Sequence, residues 1–301
     1  MQPTSFEVII IGGSYAGLSA AMSLGRSKRT VLVIDAGKPC NRQTPHSHNF
    51  LTQDGKTPAE IALLGKDQVS QYPTVSFLNG EVEAVTQTTG GFNINIRNGG
   101  NLSSKKIVLA TGITDLLPPI PGLQECWGIT AVHCPYCHGY ELRDKNTGIL
   151  ANGDAAMHYA MLISNLTNQL TIFTNGPSEF TETQLEKLNN RNISVDPRPL
   201  QNILHEHGNL TGIRFSDSTE RSLDVIYTRP AFVQPGNIAA SLGCETDEHG
   251  YLRISARGLT TVPGVYACGD NSNPMRSVAT AVASGNLAGA SVNAALCEEQ
   301  F

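Results

Sequence analysis

The sequence predicts an α/β fold of two Rossmann-like domains, and three observations predict it. The chain of 301 residues is about twice the length of an ordinary single domain. It opens on a glycine-rich strand–turn–helix, and a second unit of the same kind recurs near its middle.

Taken in order, Phe6–Ile11 is a short apolar, β-branched run that reads as a strand. Gly12-Gly13-Ser14-Tyr15-Ala16-Gly17 is the turn, and Leu18–Leu24 carries helical spacing with small residues suited to close packing on a sheet. Thr30–Ile34 is the second strand and ends in Asp35, where a carboxylate can accept hydrogen bonds from a ribose. Asn93–Arg97 and Lys106–Leu109 read as further strands. Leu117-Pro118-Pro119-Ile120-Pro121-Gly122 breaks the pattern and marks a linker. Beyond it, Thr147–Leu150, the turn 151–156, the helical Met157–Leu166 and Leu170–Phe173 repeat the opening plan. A second break runs from Arg229-Pro230 to Gln234-Pro235-Gly236. The strand-like Gly264–Cys268 and a long helix of small residues from about Val278 follow it.

Composition narrows the function. A net charge of −5 and no basic block argue against nucleic acid or an anionic membrane as partner. Met1–Glu7 lacks the charged region and cleavage site of a signal peptide, and Val8–Gly13 is too short to span a bilayer. The seven cysteines are scattered apart from Cys134 and Cys137, which fits a reducing cytoplasm with one catalytic or metal-binding pair.

That pair, Cys134-Pro135-Tyr136-Cys137, shares a chain with a dinucleotide turn, and the combination points to thiol–disulfide exchange coupled to a flavin. The turn suits a diphosphate, because glycine lets the backbone approach phosphate and the helix start supplies N–H donors. Ser14 stands where the usual middle glycine would be. Zinc is disfavoured: His133, Cys134, Cys137 and His138 include adjacent residues that cannot readily all face one metal, and no second Cys-x-x-Cys follows. Cys-Pro-Tyr-Cys is also the glutaredoxin tetrapeptide, but that fold belongs to a much shorter chain. His46 and His48 fit either a substrate-facing or a solvated loop, and Trp127 and Cys268 fit buried positions. Cys40, Cys126, Cys244 and Cys297 are read as structural or incidental.

Three motifs beside the opening turn complete a resemblance. They are Ala110-Thr111-Gly112, Tyr266-Ala267-Cys268-Gly269-Asp270 and the octet Cys-Pro-Tyr-Cys-His-Gly-Tyr-Glu at 134–141. Over essentially its whole length the chain resembles the low-molecular-weight thioredoxin reductase family, in a branch similar to the dithiol oxidases of gliotoxin and holomycin biosynthesis. The resemblance implies FAD in a discontinuous domain, 1–117 with 233–301, around a pyridine-nucleotide-like domain at 118–232 that bears the dithiol. It implies that Gly12, Gly13, Ser14, Gly17 and Asp35 hold the adenosine diphosphate of FAD. Ala110, Thr111, Gly112, Gly269 and Asp270 approach its flavin side, Arg276, Ser277, Val278 and Ala279 pass the ring, and Asn41, Arg42, Phe50 and Leu51 lie beside it. By the same analogy Cys137 faces the flavin, Cys134 meets substrate, and a homodimer is expected. His138 replaces the family's aspartate as general acid–base, a task that histidine suits near neutral pH.

One departure bears on electron flow. NADPH-dependent members carry Gly-x-Gly-x-x-Ala in the second domain and then a His-Arg-Arg-x-x-x-Arg patch for the 2′-phosphate. Here the turn is Ala151-Asn152-Gly153-Asp154-Ala155-Ala156, and Thr171–Ser178 contains no basic residue. Each lost charge-assisted bond costs ~1.5–3 kcal/mol, which disfavours NADPH, and the degenerate turn weakens NADH as well. The reading is an FAD-dependent thiol–disulfide oxidoreductase acting on a thioredoxin-like protein or a small dithiol or disulfide. An oxygen-dependent dithiol oxidase is its alternative, with a non-catalytic flavin-binding redox sensor and a zinc-binding interaction module as rivals of other classes.

Overall fold

Val8, Ile9 and Ile10 of the first strand, β1 (Ser5–Ile11), are fully buried, as in a parallel strand covered on both faces. The computed structural model describes residues 4–301. Contacts divide them into two units: residues up to Arg42, Phe50–Thr114 and Phe232–Phe301 in one, Gln43–Asn49 and Asp115–Ala231 in the other. Segment 43–49 thus leaves the first unit, although both its flanks belong there.

The first unit continues with α1 (Tyr15–Arg26), β2 (Val31–Asp35), α2 (Pro58–Val69), β3 (Val75–Asn79), β4 (Val82–Thr88), β5 (Gly91–Ile96) and β6 (Asn101–Leu109). Its parallel strands run β3-β2-β1-β6, and β4 and β5 extend the sheet antiparallel from β6. Helix α2 starts on a capping box between Thr57 and Glu60, with Pro58 inside its first turn. Then β7 (Thr114–Leu116) leads into the second unit.

The second unit holds α3 (Leu123–Cys126), β8 (Ala131–Val132), α4 (Pro135–His138), β9 (Thr147–Leu150), α5 (Gly153–Ile163), β10 (Leu170–Phe173), α6 (Glu182–Asn189) and β11 (Ser194–Asp196). There follow β12 (Leu200–Glu206), β13 (Asn209–Phe215), β14 (Glu220–Ser222) and β15 (Val225–Thr228). A parallel sheet of order β11-β10-β9-β15-β8 forms its centre, beside an antiparallel β12-β13-β14. Trp127 is buried there with Leu123, Phe173 and Phe215. The helix expected from Met157 begins earlier, at Gly153, because Asn152 caps it.

The chain leaves through β16 (Ala231–Val233) and returns to the first unit with α7 (Ile238–Ser241), β17 (Val265–Ala267) and α8 (Val278–Gln300). Strand β17 pairs parallel with β6. Helix α8 lies parallel to α1 at very short range. Ser19 Oγ donates to Val282 O at 2.7 Å, and Arg29 Nε donates to Asn293 Oδ1 at 2.7 Å. A Cβ on Gly285 would stand 2.1 Å from Ala16 O, and one on Gly289 would stand 2.6 Å from Ala20 O. Small residues therefore set the helix spacing, and both helices start at the same end of the sheet. Gly285→Ala should force α8 off α1 and cost about 1–3 kcal/mol, read as a lower midpoint in thermal denaturation.

Candidate functional site

Gly12 ends β1 and donates its N–H to Ile34 O at 2.8 Å. Its φ is +108°, and a Cβ there would meet Ala110 O at 2.2 Å, so only glycine fits between the two strand ends. Gly13 N–H donates to Asp35 Oδ1 at 3.2 Å, which places that carboxylate beside the turn. Ser14 takes extended dihedrals at the start of α1 but gives it no side-chain cap, and no acid stands in the first turn. A helix start leaves N–H groups without intrahelical partners. Here they meet a glycine cradle with nothing acidic in the helix itself, which is what a diphosphate needs. The residues fit FAD.

The other expected flavin contacts gather around the same strand ends. Ala110 N–H donates to Ile11 O, and Cys268 N–H to Leu109 O. Gly112 has φ +63° with open space where a Cβ would be. Gly269 N–H donates to Ser284 Oγ at 3.0 Å, and Cys40 Sγ approaches Asp270 Oδ2 at 3.7 Å. Arg276 has φ +43° just before α8, whose first residues include Val278 and Ala279. Ser277 Oγ caps that helix by accepting from Thr280 N. Asn41 Nδ2 donates to the Tyr15 hydroxyl, which donates to Pro58 O, while Arg42 turns back on Pro39 O. Phe50 is half-buried and Leu51 is 88% exposed, so Leu51 is not packed into this unit. Asn271 escapes a motif reading. It is fully buried, and its Nδ2 donates to Leu109 O at 2.8 Å and Thr111 Oγ1 at 3.2 Å, bracing the Ala110–Gly112 turn.

In the second unit Cys134 and Cys137 form a disulfide with Cα atoms 5.3 Å apart. Pro135 is the first residue of α4, and Cys134 caps it, its Sγ accepting from Cys137 N at 3.1 Å. That donor favours a thiolate at Cys134 once the bond opens. Tyr136 and Tyr140 are exposed on one face, with the Arg143 guanidinium 4.0 Å over the Tyr140 ring. His138 is partly buried, and desolvation, helped by nearby His48, pushes its imidazole down to about 4. This corrects the expectation of a group poised near neutrality. Burial penalises the charged form of His138. His48, left open between two settings by the sequence, is shielded and stands 3.5 Å from Glu141 through Nδ1. Cys268 is fully buried, and its thiol is pushed up to about 12.

The second strand–helix turn differs from the first in who takes the amides. Asn152 Oδ1 accepts from both Gly153 N and Glu179 N at 3.0 Å, while its Nδ2 donates to Pro177 O at 2.8 Å. Asp154 sits in the first turn of α5 and accepts from Gln184 Nε2 at 2.7 Å. Glu179 Oε2 would lie 3.6 Å from a Cβ on Gly153. The turn is thus capped by its own chain and lined by two carboxylates.

Comparison with known proteins agrees with this architecture. The model of the pyridine nucleotide-disulphide oxidoreductase family matches residues 6–285. Thioredoxin reductase tcpT of Claviceps purpurea is 31% identical over 94% of this chain and 92% of its own length. Thioredoxin reductase sirT of Leptosphaeria maculans is 30% identical over 97% and 94%. Among solved structures, an oxidoreductase from Agrobacterium tumefaciens is 37% identical with a TM-score of 0.92, over 98% of this chain and 99% of that one. HlmI is 32% identical with a TM-score of 0.92, over 98% and 94%.

His138 yields a stability signature. Its folded-state pKa lies below the ordinary 6.5, so between those values the unfolded chain binds the extra proton. The stability contributed by neutral His138 is present above about pH 6.5 and should be lost as pH falls towards 4. In denaturant melts wild type should lose stability relative to His138→Gln over that window as pH drops.

Proposed function

The chain belongs to the pyridine nucleotide-disulphide oxidoreductase family as a thioredoxin reductase-like enzyme, and we propose that it oxidises dithiols through Cys134–Cys137 and a bound FAD. The observation that carries this reading is the contrast between its two turns. The first offers a diphosphate the orphan amides of α1. The second gives its Gly153 N–H to Asn152 and sets Asp154 and Glu179 against an anion. That disfavours a pyridine-nucleotide route, which supports oxygen as the acceptor. The overall reaction is a dithiol plus oxygen giving a disulfide plus hydrogen peroxide.

The residues supply the thiol chemistry. A substrate thiolate attacks Cys134 Sγ, and Cys137 leaves with the bonding electron pair. The second substrate thiolate then attacks its own mixed disulfide and expels Cys134. Neutral His138 accepts a proton from a substrate thiol. Gly12, Gly13, Ser14, Gly17 and Asp35, with the Ala110–Gly112, Gly269–Asp270 and Arg276–Ala279 segments, would hold FAD, which when bound would supply the two-electron acceptor for the reduced cysteines. Five cysteines among the described residues stand outside the one disulfide, which supports a reducing cytoplasm. A homodimer is proposed from the family resemblance. No described helix is long and apolar enough to cross a membrane.

Anaerobic titration followed at the visible flavin band tests the reading. Dithiothreitol should bleach the band, air should restore it with stoichiometric peroxide, and NADH and NADPH at micromolar levels should leave it unchanged. Rapid bleaching by either nucleotide would sink the oxidase reading in favour of a reductase. Cys134→Ser should remove bleaching by the dithiol while leaving the flavin bound.

A further inference from the structure

The dithiol sits on a helix too short to hold itself in place. α4 has four residues, Pro135–His138, and none of them is buried. An element with few buried contacts opens easily, so its position rests on the segments that flank it. Before it, Val132 of β8 is buried and pairs with Tyr227 of β15. His133 comes next, and its carbonyl oxygen accepts from the Tyr159 hydroxyl at 2.8 Å. Tyr159 belongs to α5 and is buried, with its ring centre 6.2 Å from that of Tyr227.

The far end of the turn is held by the same part of the chain. Gly139 N–H donates to Pro135 O at 2.9 Å, and a Cβ on Gly139 would stand 2.5 Å from Leu166 Cδ1. Leu166 lies just past the end of α5, and its carbonyl accepts from Asp144 N at 2.8 Å. One helix and the turn after it thus grip the dithiol segment on both sides.

The end held by Tyr159 bears directly on sulfur. The His133 carbonyl shares a rigid peptide plane with the Cys134 N–H, so fixing one fixes the other. Cys134 caps α4 from extended dihedrals, and its Sγ accepts from Cys137 N at 3.1 Å. Such a bond is stronger to a thiolate than to a neutral sulfur, and it weakens as its angle departs from linear. We propose that Tyr159 and Leu166 are positioning residues for the dithiol, holding the α4 turn at its two ends so that the Cys137 amide stays aimed at Cys134 Sγ.

The inference rests on the thiol–disulfide reading above. In the step concerned, the second substrate thiolate attacks the substrate sulfur that is bonded to Cys134. A substrate disulfide forms, the bond to Cys134 breaks, and its electron pair stays on Cys134 Sγ. The Cys137 amide then donates to that thiolate and makes it the better leaving group.

Iodoacetamide labelling tests this without using flavin turnover. The holoenzyme is reduced with excess dithiothreitol under argon, desalted and labelled near neutral pH, and each cysteine is followed by mass spectrometry. Wild type should label Cys134 faster than Cys137. Tyr159→Phe should slow Cys134 about fivefold and leave the Cys137 rate unchanged. Phenylalanine keeps the buried ring, so a merely structural role for Tyr159 predicts the wild-type ratio. Leu166→Ala should lower the ratio of the two rates by a smaller factor. An unchanged ratio in Tyr159→Phe overturns the proposal. If thermal denaturation shows that variant unfolded, an unchanged ratio in Leu166→Ala overturns it instead. A wild type whose disulfide resists dithiothreitol would remove the thiol–disulfide reading, and the positioning with it.

Discussion

Every α-helix starts with N–H groups that need an acceptor, and the chemistry of this chain follows from what accepts them at its two strand–helix turns. At α1 the chain offers almost nothing: Ser14 does not cap, and the first turn has no acid. Parallel α8 begins at the same end of the sheet, because Gly285 and Gly289 let it lie against the backbone of α1. At α5 the acceptor is internal. Asn152 accepts from Gly153 N and ties the turn to the 177–179 loop through Pro177 O and Glu179 N. The two turns of a repeated βαβ plan thus differ in whether a side chain of the chain itself caps the helix start.

The dithiol relies on a different constraint. Four residues cannot hold two sulfurs in bonding geometry unless the backbone is stiff, and Pro135 fixes the first helical residue. The same short turn aims the Cys137 amide at Cys134 Sγ, so the sulfur expected to meet substrate is also the one with a donor to hold its charge. Burial also bears on His138. A protonated imidazole there would be poorly solvated and would feel His48, so the neutral form is favoured.

Much of the fold was legible because it is written in local signals. β-branched runs, a glycine turn and an acid at the end of β2 all act within a few dozen residues, and they return as strands, turn and carboxylate in the expected order. The Cys-x-x-Cys could be read for the same reason. What the sequence hid depends on contacts between distant positions. Nothing in Gln43–Asn49 signals that it packs with a unit whose remaining residues begin at Asp115, so the pairing of His48 with Glu141 could not be anticipated. Asn271 was missed because it acts from complete burial, on a backbone carbonyl and a threonine hydroxyl far earlier in the chain. The missing first glycine of the second turn was visible. That Asn152, the residue after it, caps the helix with its own carboxamide was not.

Thiol chemistry also needs cysteines that do not react. Seven are present, and an exchange enzyme in which several could form thiolates would scramble its own redox state. Burial prevents this at three positions. Cys268, next to the residues assigned to flavin contact, is enclosed completely, so forming its anion would place an unpaired charge in an apolar core. Cys126 and Cys244 are shifted upwards by the same desolvation, each with only a threonine hydroxyl to offset it. Cys40 directs its thiol at Asp270 Oδ2. Cys134 combines partial exposure with a backbone donor on its sulfur, the setting expected of the cysteine that exchanges.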